Sequence, residues 1–420
     1  MKFSIRQLPV VQNWSCHRCG NCCREYFVTV TAEERKRIEE QGWSRRPEFA
    51  GQPLFVKVGS FWRREYRLAH RADGSCIFLD ENGLCRIHGE FGERAKPIVC
   101  QFYPYMLAPT DQELRVSVRF SCPSAVKNLG RPVQNQLEDI KRYAKELIPA
   151  NVRVPEPPLL RRGQSVDWPR LLAVVDALHD IVKRPGAPVS HRLVQAIAFA
   201  RLVDQARVAH LEKDAFVELL ELLRTASLEN VPIGRDQMGE CPNWAFVLFR
   251  MMVAQCARKD LSPHLRRGLR GRWELFRAAI RFSRGRGLIP RLQSLFGDVD
   301  FETIEQPFGP MPDECNGILE RYYRNKLSGI QFFGSTFYDV PLIEGFDSLA
   351  LTFPAILWIA RWLAATAGRH TLQTEDVVTA LTIVDHQWGF ASSFGYSSSR
   401  RRVRLLASHG LIGRLIMHYA

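Results

Sequence analysis

Cys16-His17-Arg18-Cys19-Gly20-Asn21-Cys22-Cys23 places four thiols within a single loop, at C-x-x-C-x-x-C-C spacing. A two-residue gap lets the backbone curl so that successive sulfurs converge on one soft metal centre. Gly20 and Asn21 tolerate the left-handed backbone that so tight a loop needs. Cys76, Cys85, Cys100 and Cys122 follow, and the rest of the 420-residue chain holds only Cys241, Cys256 and Cys315. This uneven distribution puts the chemistry in the N-terminal third.

Working outward, Tyr26–Val30 reads as a short strand, and Thr31-Ala32-Glu33-Glu34 has the form of a capping box opening a helix that ends near Gly42. Segments 53–58 and 61–68 suggest a hairpin around Gly59-Ser60. The run from Cys76 to Cys85 holds two apolar arms joined by Asn82-Gly83, a turn that folds Cys76 back toward Cys85. Residues 113–120 alternate as a strand and deliver Cys122-Pro123. Residues 1–130 are therefore expected to be a small cysteine-rich domain of short strands and turns. With little continuous core, it would rely on metal as its staple. Residues 131–164 read as a helix (134–147) and a proline-rich linker (149–158), since prolines cannot continue a helix.

From 165 to 420 helical periodicity dominates, with helices expected at 168–183, 190–211, 213–226, 243–258, 265–284, 313–327, 348–367 and 374–389. The expected fold class is mainly α, a metal-stapled cysteine-rich domain followed by a larger all-helical domain. The apolar segment 349–367 contains Pro354 and Arg361 and reads as a buried helix, leaving no expected transmembrane segment. Met1 to Val11 lacks the apolar run of a secretory signal. A cytoplasmic location is expected, where thiols stay reduced and clustered cysteines indicate metal more than disulfides.

All eight early cysteines, Cys16, Cys19, Cys22, Cys23, Cys76, Cys85, Cys100 and Cys122, are candidate metal ligands. An all-thiolate set suits zinc and iron–sulfur alike. A third cysteine at the same spacing and the Cys122-Pro123 pair lean toward a [4Fe–4S] cluster, with zinc the alternative. Eight thiols allow one cluster plus a second site, or one cluster with spare structural cysteines. Adjacent Cys22 and Cys23 are expected to point apart. His17 and His88 are further candidates, to ligate zinc or to sit beside a cluster.

The pattern resembles the CxxCxxCC zinc- or iron-chelating family of bacterial Fe–S cluster-containing proteins, through Cys16, Cys19, Cys22 and Cys23, then Cys76-Ile77-Phe78-Leu79, Cys85-Arg86-Ile87-His88 and Lys96-Pro97-x-x-Cys100-x-x-Tyr103-Pro104. The resemblance covers about residues 14–125 and departs from the family at Lys96, Gln101 and Tyr103, where arginine, arginine and phenylalanine are usual. The length and layout are similar to the family's long form, flagellin lysine-N-methylase, and Leu319–Asn325 resembles a segment of its helical part. That resemblance implies methyl transfer from S-adenosylmethionine to a lysine of a partner protein such as flagellin. Glu320, Tyr322 and Tyr323, with Tyr338 and Asp339, are residue types that could line an aromatic channel for a neutral amine. They also suit an ordinary amphipathic helix. The alternatives are a non-enzymatic iron–sulfur or zinc module whose helical part binds a partner, and a redox or electron-transfer protein.

The net charge is +14, from 58 basic and 44 acidic residues, and the sequence carries no specific nucleic-acid motif. Between His264 and Arg291 arginines outnumber a single acid, Glu274. Arg266, Arg270, Arg277, Arg281 and Arg284 share one helical face beside the apolar stripe Leu269, Trp273, Phe276 and Ile280. That stripe is expected to meet the core, with the arginine stems covering it. The other reading is a surface for an acidic protein, nucleic acid or anionic membrane. Arg400-Arg401-Arg402 reads as an exposed loop, and His370 and His386 as structural.

Overall fold

The computed structural model describes all residues except 1–3, 7–11, 59–64, 112, 149–154, 209–210, 230, 232–234 and 259–268. The turn expected at Gly59-Ser60, the first part of the proline-rich linker and Arg266 lie outside the described residues. The chain is mainly helical, and its described strands are short and fall in the N-terminal third.

Thr31 caps the helix Ala32–Glu40 as expected. The Glu34 amide donates to Thr31 Oγ1 at 3.2 Å, and the Thr31 amide donates to Glu34 Oε2 at 2.9 Å. The other carboxylate oxygen of Glu34 accepts the Ile98 amide at 2.6 Å, so one cap also fastens the segment leading to Cys100. Ile38 and Trp43 then enter a small core with Phe49, Leu68, Phe78 and Ile87. The Trp43 ring stands edge-on to Phe49 and Phe78, 5.4 Å from each. A three-stranded sheet covers this core: Phe55–Val58 pairs antiparallel with Glu65–Leu68, which pairs with Thr29–Val30. The strand expected at Tyr26–Val30 is limited to its last two residues, because Tyr26 turns toward the helical part.

A second sheet belongs to a different core. Tyr105–Pro109 pairs antiparallel with Glu113–Val118, and Ser4–Arg6 lies parallel on its far side. Val116, Val118 and Phe120 join the large core that runs through the helices to Tyr419. The helices Trp168–Lys183, Lys213–Glu229, Asn243–Cys256, Asp313–Ser328 and Thr374–Trp388 start where the sequence indicates. Asp167 caps the first of these by accepting the Arg170 amide at 3.0 Å.

Three expectations are corrected. The helix expected at 348–367 is two, Leu342–Ala350 and Thr352–Thr366. Pro354 sits in the first turn of the second helix, where a missing amide hydrogen costs nothing. Leu342–Thr366 is also the one described helical run long and apolar enough to cross a membrane, and 83% of its most apolar window is buried inside the fold. Arg400-Arg401-Arg402 lies within the helix Ser397–Ser408 rather than in a loop. Glu344 explains why: its buried carboxylate needs cations, and Arg400 and Arg404, one turn apart, reach it at 2.7 and 3.3 Å. Finally, the helix Leu269–Arg284 buries Gly271, Ala278 and Phe282, so the stripe through Trp273 faces away from the core.

Candidate metal centre

The loop Cys16–Cys23 is shaped at Gly20, which adopts φ 69° and opens the short helix Asn21–Glu25. A side chain there would meet the Gly83 carbonyl at 3.0 Å and the Arg24 guanidinium at 2.8 Å. The cysteine loop therefore rests directly on the Asn82-Gly83 turn. Asp80 fixes that turn, exchanging backbone and side-chain hydrogen bonds with Leu84 at 2.8 and 2.7 Å. The Cys76 amide donates to the Cys23 carbonyl at 2.7 Å, and Cys85 pairs across the turn with Leu79. Cys100 arrives on the helix Ile98–Phe102. Chain segments far apart in sequence thus bring Cys22, Cys23, Cys76, Cys85 and Cys100 into one neighbourhood.

The thiols feel one another. Burial pushes Cys76 up to about 12, and the charges of Cys85 and Cys22 push in the same direction. Cys100 is raised by burial and then by Cys76, Cys22 and Cys85. Cys85 is raised by burial. Cys22 is raised first by interaction with the neighbouring Cys23 thiol and then by burial. Lys96 acts against all of this, favouring the thiolate at Cys22, Cys85 and Cys100. The lysine at this departure from the family pattern supplies a cation beside the thiol group.

The remaining thiols stand to one side. Cys16 and Cys19 are exposed, and Cys122 is buried and pushed up to about 11, by burial first and with Cys19 contributing. His17 is held by a hydrogen-bond contact of 2.8 Å between its Nδ1 and the Ser15 carbonyl. His88, next to Lys96, is lowered by burial and by that cation. Among the described residues no three His, Cys, Asp or Glu side chains stand close enough together to hold a metal ion. The donor chemistry nonetheless suits a soft metal: thiols on adjoining segments, with the Lys96 cation to offset their negative charge.

Glu320, Tyr322 and Tyr323 lie on the helix Asp313–Ser328, where the two tyrosine rings stand edge-on at 5.0 Å. Glu320 pairs with Arg192 at 2.9 Å and Arg324 at 3.0 Å. Tyr323 shares a hydrogen bond of 2.9 Å with Thr352 inside the core. Tyr338 donates to the Ala391 carbonyl at 2.6 Å, and it and Asp339 both take positive φ in a turn.

Tyr322 touches a polar seam that sequence reasoning missed. There Lys326 and Asp385 form an ion pair, 3% and 1% exposed. Lys326 also donates to Gln331 Oε1 at 2.6 Å and lies over the Tyr322 and Phe390 rings. Burial pulls its amine down while Asp385 opposes the shift. Asp385 Oδ2 accepts the Ser121 amide at 2.7 Å, one residue before Cys122. Tyr26 donates to Ser121 Oγ at 2.5 Å and stands edge-on to His386. Arg119 lies over the Phe390 and Tyr26 rings, its Nε and one terminal nitrogen buried without a protein acceptor. No local sequence signal marks the pair: Lys326 closes a helix rich in charged residues, and Asp385 is the second aspartate of the helix Thr374–Trp388.

Residues 15–123 match the family described as "CxxCxxCC: Putative zinc- or iron-chelating domain". The flagellar biosynthetic protein FliU of Salmonella muenchen is 25% identical over 153 residues, 35% of this chain and 89% of that protein. A lysine-N-methylase of Salmonella choleraesuis (strain SC-B67) is 21% identical over 231 residues, 54% of this chain. The match spans only 55% of that relative's length. No solved structure matches. Residues 15–123 thus carry the pattern of the CxxCxxCC zinc- or iron-chelating family, within a mainly helical chain similar in part to a lysine-N-methylase.

Proposed function

We propose that the chain is a cytoplasmic [4Fe–4S] protein that transfers a methyl group from S-adenosylmethionine to a lysine of a partner protein such as a flagellin. The observation that carries the metal half is the packing of the Cys16–Cys23 loop against the Cys76–Cys85 turn, through the Cys76 amide on the Cys23 carbonyl and Gly20 against Gly83. Cys16, Cys19, Cys22, Cys23, Cys76, Cys85, Cys100 and Cys122 are the proposed ligands, and zinc is the alternative metal. Ligation requires the thiols to rotate toward a common centre and lose their protons, which Lys96 favours. A bound cluster would supply soft Lewis acidity or one-electron chemistry and would staple the segments it joins. The methyl-transfer half is supported by the name of one relative, a lysine-N-methylase, and the flagellar target by the name of the other.

The engagement of Glu320 and Tyr323 in packing favours a second reading, a non-enzymatic zinc- or iron-binding module. The exposure of Cys16 and Cys19 suits a redox role. Anaerobic purification tests the cluster: about four irons with matching sulfide per chain support it, and a colourless protein with stoichiometric zinc overturns it. Incubation with S-adenosylmethionine and a purified flagellin, read as methyllysine by mass spectrometry, tests the activity. Absence of methyllysine with a fully loaded protein leaves the module reading.

A further inference from the structure

The helix Leu269–Arg284 has two apolar faces. At about 100° per residue, Gly271, Leu275, Ala278 and Phe282 share one face, which packs on the core. Leu269, Trp273, Phe276 and Ile280 share the opposite face. Leu269 is 85% exposed, Trp273 59% and Phe276 54%, with the two rings stacked at 5.5 Å. One apolar face is enough to anchor a surface helix; a second that meets water carries a desolvation cost for no gain in folding.

Arginines flank the outer stripe on both sides. Exposed Arg270, Arg277, Arg281 and Arg284 lie along one edge and exposed Arg272 along the other. The following turn adds exposed Arg286 and Arg291 and the half-exposed Leu288. The single acid of the helix, Glu274, stands 3.8 Å from Arg270. We propose that this face is a docking surface for an anionic lipid bilayer, the helix lying in the interface with Leu269, Trp273, Phe276 and Ile280 among the acyl chains and the arginines at the phosphates.

Chemistry selects this occupant over others. Nucleic acid would satisfy the arginines and stack on Trp273, but would leave Leu269 and Ile280 against sugar and phosphate. An acidic protein would need a groove matched to four apolar side chains, whereas a bilayer accepts a convex apolar ridge with cations on either flank. The overall charge of +14 helps approach to such a surface.

Co-sedimentation of the full chain with phosphatidylcholine vesicles, with and without phosphatidylglycerol, tests the proposal. Binding is expected only to the phosphatidylglycerol vesicles, weakening as salt rises. Trp273→Ser with Phe276→Ser should lower affinity by roughly tenfold or more. Arg277→Gln with Arg281→Gln should lower it by roughly thirtyfold. Lys183→Gln with Arg184→Gln, an exposed pair at the end of the helix Trp168–Lys183, should leave it unchanged. Circular dichroism and metal content should match wild type in every variant, since the altered side chains are at the surface. Equal loss in the Lys183/Arg184 variant would reduce the effect to bulk charge and overturn the proposal. So would binding to RNA or to an acidic polypeptide without binding to vesicles.

Discussion

The core around Trp43 and the core around Trp358 solve the same problem with different materials. The first draws Ile38, Trp43, Phe49, Leu68, Phe78 and Ile87 from loops, short helices and a small sheet. Its neighbours are thiols: Cys76 belongs to it, and Cys23 and Cys85 pack against it. The second is built from long helices whose apolar faces are fully buried, including Leu178, Phe199, Phe249, Trp358 and Trp362. So small an apolar cluster does not offset the chain entropy of the loops around it, whereas the helical core does. The cysteines stand where hydrophobic burial is short.

Removing metal is the strongest way to break this contrast. Chelation under anaerobic conditions should unfold the segment from Asn21 to Phe102 while the helices from Trp168 to Tyr419 stay folded. Hydrogen exchange would show rapid labelling of Ala32–Phe91 beside protected amides in Thr352–Thr366. A single cooperative transition covering both would remove the distinction.

The reverse experiment is Asp385→Ala. It leaves the buried Lys326 amine without its counterion and removes the acceptor of the Ser121 amide, at a cost of about 3–5 kcal/mol. The loss should appear as a lower denaturant midpoint for the helical part, with metal retention in the small core less affected.

Lys96→Gln should spare both cores and weaken metal retention about tenfold in competition with a chelator. Lys96→Arg should restore it, because a cation is what the thiols require. An unchanged chelator competition for Lys96→Gln would separate this residue from the site. Smallest is Thr31→Ala, which deletes one side of the capping box and should cost about 1 kcal/mol, confined to the small core.

Local chemistry was legible in the sequence. The capping box at Thr31, the Asn82-Gly83 turn and the starts of several helices are each settled within a few residues, by a cap, a left-handed glycine or a proline. The cysteine pattern was legible because its spacing is itself the constraint. What joins the parts was not. Asn325 bonds both the Val118 amide, at 3.1 Å, and the Val118 carbonyl, at 2.6 Å, and no local rule pairs a helical asparagine with a strand so distant in sequence. The same holds for Asp385 with Ser121. On the helix Leu269–Arg284 the stripe through Trp273 was legible, but the face through Ala278 and Phe282 that turns inward was revealed only by tertiary packing.

The strand Glu113–Val118 has a practical consequence for anyone who would move the cysteine module elsewhere. It carries the chain to Cys122, yet its buried side chains and the Ser121 amide are completed by helices more than two hundred residues later. A fragment ending at residue 130 would leave Val116, Val118, Phe120, Ala125 and Val126 facing water and the edge bound by Asn325 bare. The module is not portable as a cassette. Its thiols lie near one end of the sequence, but the scaffold that finishes it is the whole chain.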